Sequence, residues 1–217
     1  MDYKINIFVQ ARMSSSRFPG KMLAPINGIP LIKNIVDSLN KVKDVNKVII
    51  VTSTDPSDEP LVAYLEAIGS NYFRGPLDNV FKRFQSALKL YTCDFLVRIC
   101  GDSPFINVDL VEFMIGRCKT LQGVELLSNC RFKRFPPGQS VEIIKSETFL
   151  SMEEKNLNSF QREHVLPVFY ENLEKSKTYF LETRRSYGPV SYCIDTVEDI
   201  EKIKKYPIFK FDLGDIS

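Results

Sequence analysis

Tryptophan is absent from the 217 residues, histidine occurs once, and the five cysteines (Cys93, Cys100, Cys118, Cys130, Cys193) form no CxxC pair. One histidine and scattered thiols do not make a zinc set. An odd cysteine count, with no secretory apolar segment near Met1, gives the expectation of reduced thiols in a cytoplasmic protein. Long hydrophobic runs are lacking as well. No apolar stretch approaches the roughly 18 residues needed to span a bilayer, so no membrane partner is expected. Charge of one sign is not in excess either: 29 Lys and Arg stand against 27 Asp and Glu, a net charge of +2. That balance offers no broad electrostatic surface to nucleic acid or anionic membrane. Two phosphate-binding signatures are also missing, the GxxxxGK[ST] loop and GxGxxG.

What is present is a regular alternation. Hydrophobic residues make up 44% of the chain, enough for one substantial α/β domain. Apolar β-branched runs predict strands at 4–9, 47–52, 71–73, 95–99, 124–128 and 190–194. Between them Leu31, Ile35, Val36 and Leu39 recur at helical spacing, as do Leu61, Tyr64, Leu65 and Ile68, then Val80, Phe84, Ala87 and Leu88. The pattern is that of a mostly parallel central sheet with helices on both faces. Near Lys133 it changes. Phe135-Pro136-Pro137-Gly138 makes a turn, 140–144 reads as a strand, and helices are expected at 146–153 and 160–173. No linker divides the chain, so 1–217 is read as one domain, with an insertion or oligomer arm around 133–175 and a homodimer as the expected assembly.

Three places carry chemistry. Directly after the first strand, Gln10-Ala11-Arg12-Met13-Ser14-Ser15-Ser16-Arg17-Phe18-Pro19-Gly20-Lys21 puts three cations and three hydroxyls on a flexible loop. Ligands bind at the carboxyl edge of open α/β sheets, and forked guanidinium groups suit phosphate oxygens; the competing reading is a solvated polar loop. In Val97-Arg98-Ile99-Cys100-Gly101-Asp102-Ser103-Pro104 a strand ends at a Gly-Asp turn, presenting Asp102 either to a divalent ion or as a turn residue. The arrangement recurs in Tyr192-Cys193-Ile194-Asp195-Thr196-Val197-Glu198-Asp199, where helix capping explains Thr196 and leaves Asp195 between capping and metal. His164 either reaches a ligand or orders a helix start. Arg134, ahead of the Pro-Pro-Gly turn, suits an acceptor carboxylate or phosphate better than Arg131 or Lys133.

Six blocks in order resemble one family. Val9-Gln10-Ala11-Arg12 with Ser16-Arg17-Phe18-Pro19-Gly20-Lys21, Arg74-Gly75-Pro76-Leu77-Asp78-Asn79-Val80, Arg98 to Pro104, Phe135-Pro136-Pro137-Gly138 with Val141-Glu142, Arg162-Glu163-His164-Val165, and Ile194 to Asp199 are similar to the cytidylyltransferases that activate sugar acids, such as CMP-KDO synthetase and acylneuraminate cytidylyltransferase. The spore-coat-polysaccharide-type members are the nearest in pattern. The resemblance implies a Rossmann-like nucleotidyltransferase fold and Mg2+-dependent transfer of CMP from CTP to a KDO-like or nonulosonic sugar acid, for a surface polysaccharide or glycan. It implies a nucleotide site of Gln10, Ala11, Arg12, Ser16, Arg17, Lys21, Thr52, Ser53, Arg74, Gly75, Asp78, Asn79, Arg98, Gly101 and Asp102. Arg12, Lys21, Asp102 and Asp195 would carry catalysis, Asp102 and Asp195 would hold Mg2+, and Arg134, Glu142 and His164 would face the acceptor. One departure stands out, Ser140 where relatives often carry aspartate. The alternatives are a nucleotide-binding regulatory or assembly protein without turnover, and a nucleotidyltransferase acting on a sugar or polyol phosphate.

Overall fold

The computed structural model describes residues 2–171 and 177–216. Four strands, β1 (Ile5–Gln10), β4 (Lys47–Ser53), β5 (Asn71–Gly75) and β6 (Phe95–Cys100), pair in parallel. Ile7 stands beside Val48 on one side and Val97 on the other. Strand β8 (Glu142–Lys145) runs antiparallel to β6 and to β7 (Leu126–Ser128), and β9 (Thr178–Phe180) returns parallel to β7. The seven strands stand in the order β5-β4-β1-β6-β8-β7-β9. A two-strand ribbon, β2 (Pro25–Ile26) and β3 (Ile29–Pro30), turns through Asn27 and Gly28, both at positive φ as a tight two-residue hairpin requires.

Successive side chains of a strand point to opposite faces, which gives this sheet two cores. Ile7, Val9, Val48, Ile50, Val97 and Ile99 pack against α1 (Leu31–Leu39) and α4 (Val108–Thr120). Phe8, Ile49, Val51 and Leu96 pack on the other face against α3 (Val80–Leu90) and α5 (Ser146–Ser151), where the Phe81 and Phe149 rings meet at 5.0 Å. Each such side chain contributes roughly 1.5–3 kcal/mol when fully buried. Helix α2 (Glu59–Ala67) lies between β4 and β5 in the chain.

Two expectations are corrected. Residues 190–194 are not a strand, although Tyr192 and Ile194 alternate inward as strand residues do. Their N–H groups donate to the carbonyls of Pro137 and Asp102, which belong to loops, so no ladder forms. The helix expected over 160–173 is two short ones, α6 (Ser159–His164) and α7 (Pro167–Glu171); residues 172 and 173 lie outside the described residues. Between them Val165 sits at φ 68°, ψ −53°, and Leu166 N–H donates to the His164 carbonyl. This is the strained positive-φ γ-turn, followed by Pro167 with no N–H to continue the helix. Strand β9 forms where no element was expected, although Thr178, Tyr179 and Phe180 are all strand-favouring residues.

Candidate active site

The opening loop is folded by its own backbone and by β4. Gly20, at φ 77°, donates its N–H to the Met13 carbonyl, closing the loop and delivering Lys21 into a single 3-10 turn. The Lys21 side chain is buried and reaches across the sheet edge: Nζ lies 2.9 Å from the Ile194 carbonyl oxygen and 3.2 Å from Asp195 Oδ1. Arg17 approaches the same Oδ1 at 3.0 Å. Opposite, Arg12 stands 3.7 Å from Glu163 on α6.

Asp102 follows β6. Gly101 donates its N–H to the Gln10 carbonyl, and a Cβ on Gly101 would lie 2.6 Å from that oxygen, so the ends of β1 and β6 approach as only glycine allows. Ser103 Oγ donates to Asp102 Oδ1 at 3.0 Å. The Asp102 carbonyl accepts from Ile194 N–H at 2.8 Å, which ties the β6 end to the segment ending at Asp195. Helix α8 (Val197–Ile203) starts beyond, and Asp199 Oδ2 accepts from the N–H groups of both Asp195 and Thr196. Thr196 is therefore the N-cap and Asp199 the first-turn acceptor.

These pieces enclose a cleft of about 290 Å³ that brings together Gln10, Ala11, Arg12, Ser16, Arg17, Lys21, Gly101, Asp102, His164 and Asp195. His164 packs its ring on Phe160 at 4.4 Å. Burial pushes the Cys100 thiol, also on the cleft wall, up to about 11.

The other expected residues lie outside this cleft. Thr52 and Ser53 are buried at the end of β4, their hydroxyls bound to Asp58 Oδ2. Arg74 donates Nε to the Ser53 carbonyl at 3.0 Å and Nη2 to Glu59 at 2.7 Å. Asn79 caps α3, accepting from Lys82 N–H, while Asp78 beside it is exposed. Gly75 packs so closely that a Cβ would meet Arg83 Cγ at 2.8 Å. Arg98 and Glu142 pair with each other across β6 and β8 in the buried sheet. Arg98 also donates Nη2 to Gln10 Oε1 at 2.7 Å, and Tyr170 donates its hydroxyl to Glu142 Oε1 at 2.7 Å. Burial and the Glu142 charge raise the Tyr170 phenol above its ordinary range. Arg134 lines a different pocket, described below.

Sequence reasoning missed two buried charges. Asp58 has no exposed surface and accepts from Met13 N–H, Ser53 N–H and both hydroxyls, pinning the opening loop to β4. Its turn-like setting, Asp55-Pro56-Ser57-Asp58, gave no hint. Arg83 donates Nε and Nη2 to the carbonyls of Pro76 and Leu77, leaving Nη1 buried without a partner among the described residues. Burial, with the neighbouring Arg12 charge, pulls its pKa down to about 10. Here a signal existed: Arg83 lies at i+3 from Val80 on the apolar stripe that continues to Phe84 and Ala87. Glu163 stood in a recognised block without a role.

Six motif blocks spread along the chain meet on one architecture, and a family profile described as cytidylyltransferase matches residues 6–210. The chain belongs to the cytidylyltransferase family. The enzyme is 28% identical over 207 residues to the spore coat polysaccharide biosynthesis protein SpsF of Bacillus subtilis, covering 92% of this chain and 85% of that one. It is 32% identical over 122 residues to 3-deoxy-manno-octulosonate cytidylyltransferase 2 of Hydrogenovibrio crunogenus, a match spanning 54% of this chain and 47% of the relative. Among solved structures, a cytidylyltransferase from Leptospira borgpetersenii superposes with a TM-score of 0.87 at 30% identity, covering 93% of this chain and 85% of its own. The nucleotidyltransferase fold and activity class follow. No helix among the described residues is long and apolar enough to cross a membrane.

Proposed function

We propose that the enzyme transfers CMP from CTP to a sugar acid, releasing pyrophosphate, with Mg2+ held by Asp102 and Asp195. One observation carries this reading: Lys21, buried to 8% exposure, joins the opening loop to Asp195 in the same cleft that Asp102 lines. Cations for phosphate and carboxylates for a metal thus share one sheet edge. The donor set suits Mg2+ in a particular way. Among the described residues no three His, Cys, Asp or Glu side chains gather, which argues against a metal caged by protein alone, whereas Mg2+ takes one or two carboxylates and completes its shell with phosphate and water. When bound, Mg2+ supplies Lewis-acid neutralisation of phosphate charge.

The rest follows from the chain's own residues. Arg12, Arg17 and Lys21 bind and orient the triphosphate through charge-assisted hydrogen bonds. A sugar hydroxyl attacks the α-phosphorus in line; its O–P bond forms as the bond to the β-phosphate oxygen breaks, and the cationic loop stabilises the departing pyrophosphate. Thr52 and Ser53, bound to Asp58, hold the end of β4 behind the cleft, and Arg83 fixes the turn at Pro76 and Leu77; these residues support the nucleotide site from outside its lining. His164, which lines the cleft beside Glu163, is assigned to the acceptor in this reading.

Pyrophosphate release measured over the four common nucleoside triphosphates and a panel of sugar acids and sugar phosphates tests the reading. CTP with a sugar acid is expected to turn over, and Asp102→Asn and Asp195→Asn each to lower turnover at least about a hundredfold, the scale of losing a ligand from a catalytic metal. Near-normal turnover in either folded variant across a Mg2+ titration would remove that residue's metal role.

A further inference from the structure

Away from the cleft, four cations line a second pocket of about 200 Å³: Lys133 and Arg134 from the loop between β7 and β8, and Arg184 and Arg185 from the segment after β9. The two pockets share no lining residue. Among the described residues only Arg185 of the four has an ion-pair partner, Asp215 at 3.5 Å. On a chain of net charge +2 this is a strong local excess, and like charges gathered in one concavity repel unless an anion joins them.

The walls are built firmly. Gly138, at φ 89°, lets the 135–138 turn lie against Tyr192, whose N–H donates to the Pro137 carbonyl at 2.8 Å. Arg184 N–H donates to the Asp215 carbonyl at 2.8 Å, Thr183 bridges to Ile216, and Arg185 N–H donates to Thr183 Oγ1. The backbone at Arg184 and Arg185 and the turn after Arg134 are thus tied down, while all four cationic side chains remain exposed. Tyr187 lines the same pocket beneath the Arg185 guanidinium, 5.3 Å from ring to Cζ, and its hydroxyl is shut off from solvent without a hydrogen-bond partner among the described residues.

We propose that this pocket binds an oxyanion, a phosphate or carboxylate group carried by a ligand other than the nucleotide. Forked guanidinium groups take such oxygens two at a time. The group belongs either to the acceptor or to a separate anion; naming the acceptor rests on the transferase reading, whereas the pocket itself does not.

Inorganic phosphate is the probe, titrated by calorimetry or NMR at low ionic strength into the full chain, the Arg134→Ala/Arg185→Ala double variant and Lys21→Ala. Phosphate affinity should fall at least about tenfold in the double variant and persist in Lys21→Ala and with the cleft saturated by CTP. Undetectable binding to the unaltered chain, unchanged binding to the folded double variant, or displacement by CTP each overturns the proposal. Steady-state rates then assign the source: a raised acceptor KM with CTP KM unchanged places the anion on the acceptor, and lost phosphate binding without a kinetic change places it on a separate ligand. A chain with no transferase turnover would sink the cleft reading and leave the phosphate titration decisive for the pocket.

Discussion

Four donors converge on the carboxylate of Asp58, and no solvent reaches it. Removing it strands Thr52 and Ser53 hydroxyls and two backbone N–H groups in a dry interior, each costing on the order of 1–3 kcal/mol. Asp58→Ala is therefore expected to lower stability by about 3 kcal/mol or more in urea unfolding. Asp58→Asn should recover only part, because with its oxygen kept at the Oδ2 position the amide nitrogen faces the Met13 N–H, a donor it cannot accept from. A variant as stable as the parent would deny Asp58 this pinning role. At Cys100 the expectation concerns reactivity. A thiol held near 11 carries roughly one part thiolate in a thousand at pH 8, and the thiolate is the nucleophile. Alkylation by iodoacetamide at Cys100 should be slow at pH 8 and rise about tenfold per pH unit toward pH 10, as followed by mass spectrometry of the peptide. Rapid labelling at pH 8 would contradict the raised value.

Single elements acquire their roles from what they are tied to. The 190–195 segment has no ladder of its own; it is hung between the Pro137 and Asp102 carbonyls and stopped by the Asp199 cap. Gly138 governs this arrangement. An added Cβ there would lie 2.5 Å from the Tyr192 carbonyl carbon and 2.9 Å from Cys193 N, both backbone atoms, at a φ that L side chains avoid. Gly138→Ala should thus cost about 3 kcal/mol or more, read from the urea midpoint, and should lower turnover beyond the stability loss because Asp195 moves with the segment. Unchanged stability would show that the turn yields at no cost. The strand pattern of 190–194 was legible as inward alternation of Tyr192 and Ile194. Alternation reports which face is buried and is silent on which backbone lies alongside.

Across the molecule, nucleotide binding should stabilise the folded state by mass action. A ligand at a hundred times its Kd adds about 2.7 kcal/mol, which for a chain of this size shifts Tm by about 5–10 °C. CTP with Mg2+ is expected to produce such a shift and cytidine a far smaller one, since the cationic loop has no phosphate to grip in the nucleoside. Differential scanning fluorimetry at one fixed concentration, the same for both ligands, decides it. Equal shifts would mean that Arg12, Arg17 and Lys21 contribute little beyond pocket shape.

Local information in the chain determined the layered α/β architecture: strand runs and helical spacing repeat over short windows, and Ile7 and Phe8 separate into opposite cores because side chains alternate along any strand. It also determined the opening loop, where Gly20 and the cation spacing are local features. The meeting of Lys21 with Asp195, 174 positions apart, was decided by the tertiary structure, as were the Arg98–Glu142 pair and the gathering of Lys133 and Arg134 with Arg184 and Arg185. The physical reason is common to all three. Periodicity fixes which way a side chain faces, but the order of strands in the sheet fixes which distant ends share an edge, and that order is set by the packing of whole elements.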